Sequence, residues 1–131
     1  AGLDPTSGEV RFTANSSVGE VWGLAYAPGP KVALCAGGWS GLVAGLSPSS
    51  GEVLWTANAT IGKIFSFAYV PELGLALCGG ESGLVAGLDA ERGEVRFIVN
   101  ASIGEVWSLS FAPEAGLVYC GGGDHKVAAL Q

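Results

Sequence analysis

One phrase recurs three times along the chain: AGLDPTSGEVRF from Ala1, AGLSPSSGEVLW from Ala44 and AGLDAERGEVRF from Ala86. Glycines hold the register. Gly8, Gly51 and Gly93 are each followed eleven residues later by Gly19, Gly62 and Gly104, and sixteen further on by Cys35, Cys78 and Cys120. A repeat kept this strictly restricts the fold to architectures that stack one supersecondary unit on copies of itself. The only length difference lies between Cys35 and Val43, where AGGWSG is one residue longer than GGESG. An insertion there marks a loop.

Each copy contains four short runs of β-favouring residues divided by turn signals. In the middle copy these are GEVLWTA (51–57), KIFSFAYV (63–70), GLALCG (74–79) and GLVAGL (83–88). The intervening NATIG, PELG, GES and DAERG are rich in Gly, Pro, Asn, Asp and Ser, which supply turn dihedrals and local side-chain bonds. No segment has a helical period, and the density of Gly and β-branched residues disfavours one. The pattern reads as all-β. The chain is expected to form one unit, 1–131, with copies at about 1–43, 44–85 and 86–131.

At 131 residues, 49% of them apolar and 22 of them glycine, the chain can bury a core of short strands joined by tight turns. No apolar run approaches the roughly 18 residues of a membrane span, and no basic segment leads into an apolar one as in a secretory leader. A soluble protein is expected. The net charge is −6 and the six basic residues are scattered singly, which disfavours nucleic acid and anionic membranes as partners. Cys35, Cys78 and Cys120 are odd in number and equivalent in position, against an ordered disulfide framework. They read as buried thiols, which favours a reducing, intracellular compartment.

Four antiparallel strands every ~40–45 residues are the signature of a β-propeller blade. The run VWGLAYAPGPKVALCAGGWSGLVAGLSPSSGEVLW resembles a WD40-type blade, and AGLSPSSGEVLW also resembles the quinoprotein-like repeat. The Gly-His pair of WD40 blades is absent, with Asn15, Asn58 and Asn100 in that region, and Leu46-Ser47 and Leu88-Asp89 replace the Trp-Asp dipeptide. The resemblance is therefore to a divergent propeller. It implies three four-stranded blades, with strands in the chain order d, a, b, c and the inner strands beginning at Glu20, Lys63 and Glu105.

On that numbering, outer strand 8–14 precedes the first inner strand, and the last third strand, ending at Leu130, has no outer neighbour. Ala1–Leu3 aligns with Ala128–Leu130. Three blades are fewer than the usual four to eight, and an open arc leaves unpaired edges. The expectation is a ring closed by oligomerisation, with Glu9, Val10, Arg11 and Phe12 of one chain lying beside Val127 and Leu130 of the next. A dimer of six blades is favoured over a trimer of nine, and a ring completed by a different protein is the remaining option.

Residues able to do chemistry are few. His125 is the only histidine, which disfavours histidine metal sites and catalytic dyads, and it reads as an exposed turn residue. The GGG at 121–123 opens no helix and so reads as turn chemistry. The quinoprotein-like motif is a structural turn, and no cofactor is expected. Asn15, Asn58 and Asn100 each begin an Asn-x-Ser/Thr triplet, which is either a glycosylation acceptor or an Asx-type turn copied with the repeat; the turn is favoured. Phe12, Trp55, Phe97, Tyr26, Tyr69 and Phe111 recur at strict strand positions and read as core. Trp22, Phe65 and Trp107 hold the variable inner-strand position, and Trp39 lies in the inserted loop. With Glu81 and His125 they form the candidate binding face of a non-enzymatic interaction scaffold. The alternatives are a lectin-like module for glycans or small ligands, and a blade triplet that has kept no ligand.

Overall fold

Short runs of Val, Ile, Leu and aromatic residues, bounded by glycines at positive φ, form strands because each run can bury one or both faces of a pleated ribbon. A computed structural model of the chain describes residues 1–131, with thirteen strands and no helix. No helix is therefore long and apolar enough to cross a membrane. The first two strands, β1 (Gly2–Leu3) and β2 (Val10–Phe12), pair as a small ribbon. The first full sheet runs β3 (Val21–Ala27), β4 (Val32–Gly37), β5 (Leu42–Leu46), β6 (Val53–Asn58). The second repeats it as β7 (Ile64–Val70), β8 (Leu75–Gly80), β9 (Leu84–Asp89), β10 (Val95–Asn100). The third has β11 (Val106–Ala112), β12 (Leu117–Gly122) and β13 (Val127–Leu130). All pairs are antiparallel between chain neighbours.

The sheets stack face to face through small and branched side chains. Ala36 and Val43 of the first sheet meet Ile64, Cys78, Ala86 and Leu88 of the second in one buried cluster. Val85 of the second meets Val106 and Cys120 of the third in another. The thiols are free and buried, each filling a small place in a packing layer.

The ends of the stack are open. Leu24 is 75% exposed on the first sheet and Val127 74% exposed on the third. This changes the expectation that all recurrent aromatics are core. Tyr69 and Phe111 are partly buried between sheets, but Tyr26, at the same repeat position, is 54% exposed because only the β1–β2 ribbon precedes its sheet. The ribbon is a second difference from the sequence reading. Outer strand β2 is already paired, Gly2 with Phe12 and Leu3 with Val10. That register repeats Gly45 with Trp55 and Gly87 with Phe97.

A candidate aromatic binding face

The loops before each first strand are built by their asparagines. Asn15, Asn58 and Asn100 accept through Oδ1 from the amides of Ser17, Thr60 and Ser102 at 2.9, 2.8 and 2.8 Å. Those three acceptor-bound residues sit at φ of 63°, 60° and 57°. The side-chain bond thus holds a left-handed residue in place, as in an Asx turn. The loop between second and third strands is tied to it. Ser82 Oγ donates to Ile61 O at 2.7 Å, and Ser40 Oγ makes the same bond to Val18 O. Both loops therefore lie at one end of each sheet.

Trp22, Phe65 and Trp107 sit beside this end at β-bulges. The register slips between Val21 and Gly23, between Ile64 and Ser66, and between Val106 and Ser108, which leaves the aromatic residue as the extra one in each case. A bulge re-aims its side chain away from the regular alternation. Trp22 and Phe65, from adjacent sheets, then stack with centroids 6.0 Å apart and planes 22° apart. Trp39 meets Trp22 edge-on at 5.9 Å. Gly38 makes this possible, since a Cβ there would overlap the Trp22 indole. The inserted loop also crosses to the second sheet, where Gly38 O accepts from Ile64 N at 2.9 Å.

Lys63 completes the cluster. Its Nζ lies 4.3 Å from the Trp39 ring centroid and 3.5 Å from Glu81 Oε1. The structure thus joins Trp22, Trp39, Phe65 and, through Lys63, Glu81. Trp107 stands apart, with its indole donating to Glu105 Oε2 at 2.9 Å. No ring contact, hydrogen bond or ion pair connects His125 to the cluster; it occupies the turn before β13 at φ 62°. Sequence reasoning missed Lys63 and the bulges. The only signal was the repeated aromatic three residues past Gly19, Gly62 and Gly104.

The cluster offers flat aromatic surface, one cation and one acid, with no activated nucleophile. Burial pushes the thiols of Cys35, Cys78 and Cys120 above the usual thiol range, so they stay protonated. No group of three or more His, Cys, Asp or Glu side chains has the geometry to hold a metal ion.

The stack is similar to the crystal structure of the WD40 β-propeller domain of Doa1, with a TM-score of 0.73 and 20% identity, covering 85% of this chain and 36% of that one. The chain has the WD40-type β-propeller fold. It spans about a third of the length of that propeller. No protein-family model and no curated protein sequence matches it.

In propeller terms the three sheets are blades, β3, β7 and β11 are inner strands, and the aromatic cluster bridges the first two blades. The residues expected at a seam lie at the opposite ends of this arc. Glu9, Val10 and Arg11 are exposed and Phe12 is partly covered; at the other end Val127 is exposed and Leu130 partly buried. The edge of β2 that would meet β13 is taken by β1, so such pairing requires the two residues Gly2 and Leu3 to leave it.

Proposed function

We propose that the chain is a non-enzymatic propeller scaffold that closes a ring with other copies of itself and presents the Trp22, Trp39 and Phe65 surface to a protein partner. The observation that carries this reading is the cluster itself. Trp22 and Trp39 are 45% and 61% exposed although each is held by neighbouring rings, so a rigid apolar surface already exists without a partner. Aromatic anchors of this kind dominate protein interfaces because they bury much area at little entropic cost. Glu81 belongs to the proposed face through Lys63, and Trp107 and His125 are its rim residues. Asn15, Asn58 and Asn100 serve as turn formers and not as sugar carriers.

Ring closure is supported by the two open ends, each of which exposes large apolar side chains. Two chains give six blades, within the usual range, and are favoured over three chains with nine. Light scattering should report about twice the 13.2 kDa chain mass. A strictly monomeric chain removes the assembly part of the reading.

The face is tested by selecting peptides from a displayed library on the wild-type chain and re-measuring them on Trp22→Ala and Trp39→Ala. A hot spot predicts at least about tenfold weaker binding with unchanged assembly mass. Peptides that bind all three proteins equally place recognition elsewhere. Glycans that bind saturably and lose affinity in the same variants replace the protein-partner reading with the lectin-like one.

A further inference from the structure

An apolar cleft of about 260 Å³ separates the second and third blades, with Leu73, Leu77 and Phe97 on one wall and Phe111 and Val118 on the other. The equivalent space between the first and second blades is filled. There Ala90, fully buried, joins Ala27, Val32, Leu34 and Ala76, with Trp55 and Tyr69 packed against them. Ala90 N donates to Gly74 O at 3.0 Å, and the backbone of Gly93 lies on the Trp55 ring. Ala90 and Gly93 belong to the turn between β9 and β10. The corresponding turn of the first blade sets Gly51 against Phe12. Each such turn therefore covers the outer-strand aromatic of the blade before it.

Phe97 has no such cover and is 38% exposed. A turn of the same construction, Asp4–Gly8, lies at the other end of the arc. Asp4 Oδ1 accepts from the amides of Thr6 and Ser7 at 2.9 and 3.1 Å, and its Oδ2 receives Arg11 at 2.9 Å. Asp89 does the same with Glu91, Arg92 and Arg96 at 2.8, 3.1 and 2.7 Å. Pro5 aligns with Ala90 and with Pro48, so the turn accepts proline at that position.

We infer that the cleft between the second and third blades is the receptor for the Asp4–Gly8 turn of a second copy, with Pro5 in the place of Ala90 and Gly8 on the ring of Phe97. This rests on the self-assembly reading above and adds to it the site that recognises the partner. Strand β2 of the second copy then runs beside β13. Gly2 and Leu3 of that copy leave β2 to admit β13, and one residue of β13 then limits the fit. Phe12, Trp55 and Phe97 each lie over a glycine of the neighbouring strand, Gly2, Gly45 or Gly87, with no room for a Cβ. The register sets Ala129 of β13 opposite Phe12, so the ring must turn aside and the joint is weaker than the internal ones.

The test uses the full chain and a fluorescent peptide of residues 4–14. Leu73 is 68% exposed and Pro5 is exposed, so Leu73→Glu and Pro5→Asp leave the blades intact. Each should raise the dissociation constant of the assembly at least about tenfold, while Ala129→Gly lowers it. The peptide should bind wild-type chain and lose binding to Leu73→Glu. Assembly that is indifferent to both substitutions overturns the cleft and leaves self-assembly standing. A monomeric chain that still binds the peptide through Leu73 overturns self-assembly and keeps the cleft. A monomer that ignores the peptide overturns both and gives the cleft to another occupant.

Discussion

Gly93 of the second blade lies flat on the indole of Trp55 in the first, with φ at 77° and no space for a Cβ. Both conditions demand glycine, one through backbone strain and one through contact. Gly93→Ala should cost about 2–4 kcal/mol, combining a left-handed alanine with an overpacked interface. Gly74, at φ 63° with open space around it, separates the two effects. Gly74→Ala should cost only about 1 kcal/mol. Urea unfolding of the two variants measures the difference, and equal costs would show that the contact with Trp55 contributes nothing.

His125 adopts φ 62° at a position where the other copies have Gly41 at 68° and Gly83 at 79°. A Cβ is a liability in that region, and nothing in the site repays it. His125→Gly should therefore stabilise the fold by about 0.5–1 kcal/mol, read as a higher thermal midpoint. The reverse change, Gly83→His, meets the carbonyl of Gly104 at 2.9 Å as well and should destabilise by more than that amount.

Acid should loosen the turns that precede β2 and β10. Hydrogen bonds from the Thr6 hydroxyl and then Arg11 hold the Asp4 carboxyl well below the usual range, and the hydrogen bond from Arg96 lowers that of Asp89. Because the folded values are lowered, the unfolded chain binds more protons in this window. The stabilisation is complete above about pH 4 and is lost as pH falls through the lowered values. Urea midpoints between pH 5 and pH 2 should fall, with a shallower decline in Asp89→Asn. The first blade is an internal control: Ser47 and Leu54 replace the Asp–Arg pair together, so its turn has no carboxylate to protonate.

The thiols should be silent in the folded protein. Cys35, Cys78 and Cys120 are buried and protonated, so a thiol reagent at pH 8 should label none of them in native chain and all three in urea. Cys35 borders a cleft between Gly2 and Phe12 of the β1–β2 ribbon and Tyr26 and Leu46 of the first blade, and its rapid labelling in native chain would mean that this cleft opens readily.

Much of the blade was legible because its causes are local. GLALCG and GLVAGL become Leu75–Gly80 and Leu84–Asp89, within a residue or so of the expected limits, since apolar runs between positive-φ glycines leave few other conformations. The Asn-x-Ser/Thr triplets likewise form their turns within three residues. The candidate face was only partly legible. Trp22, Phe65 and Trp107 share one repeat position, but two of the rings stack across blades while the third turns to Glu105. Lys63 carried no motif, and its place over Trp39 depends on a loop from the neighbouring blade.

The sequence by itself determined the repeat, the strands, the turns and the positions where glycine is obligatory, because these follow from dihedral preferences and hydrogen bonds between near neighbours. Only the tertiary structure decided which copies of a residue are covered. Tyr26 is open while Tyr69 is partly buried, and Phe97 is open while Trp55 is capped by Gly93, although each pair has the same place in the repeat. Burial in a stack is set by the next sheet, and the end sheets of this arc each have one face without a full blade against it.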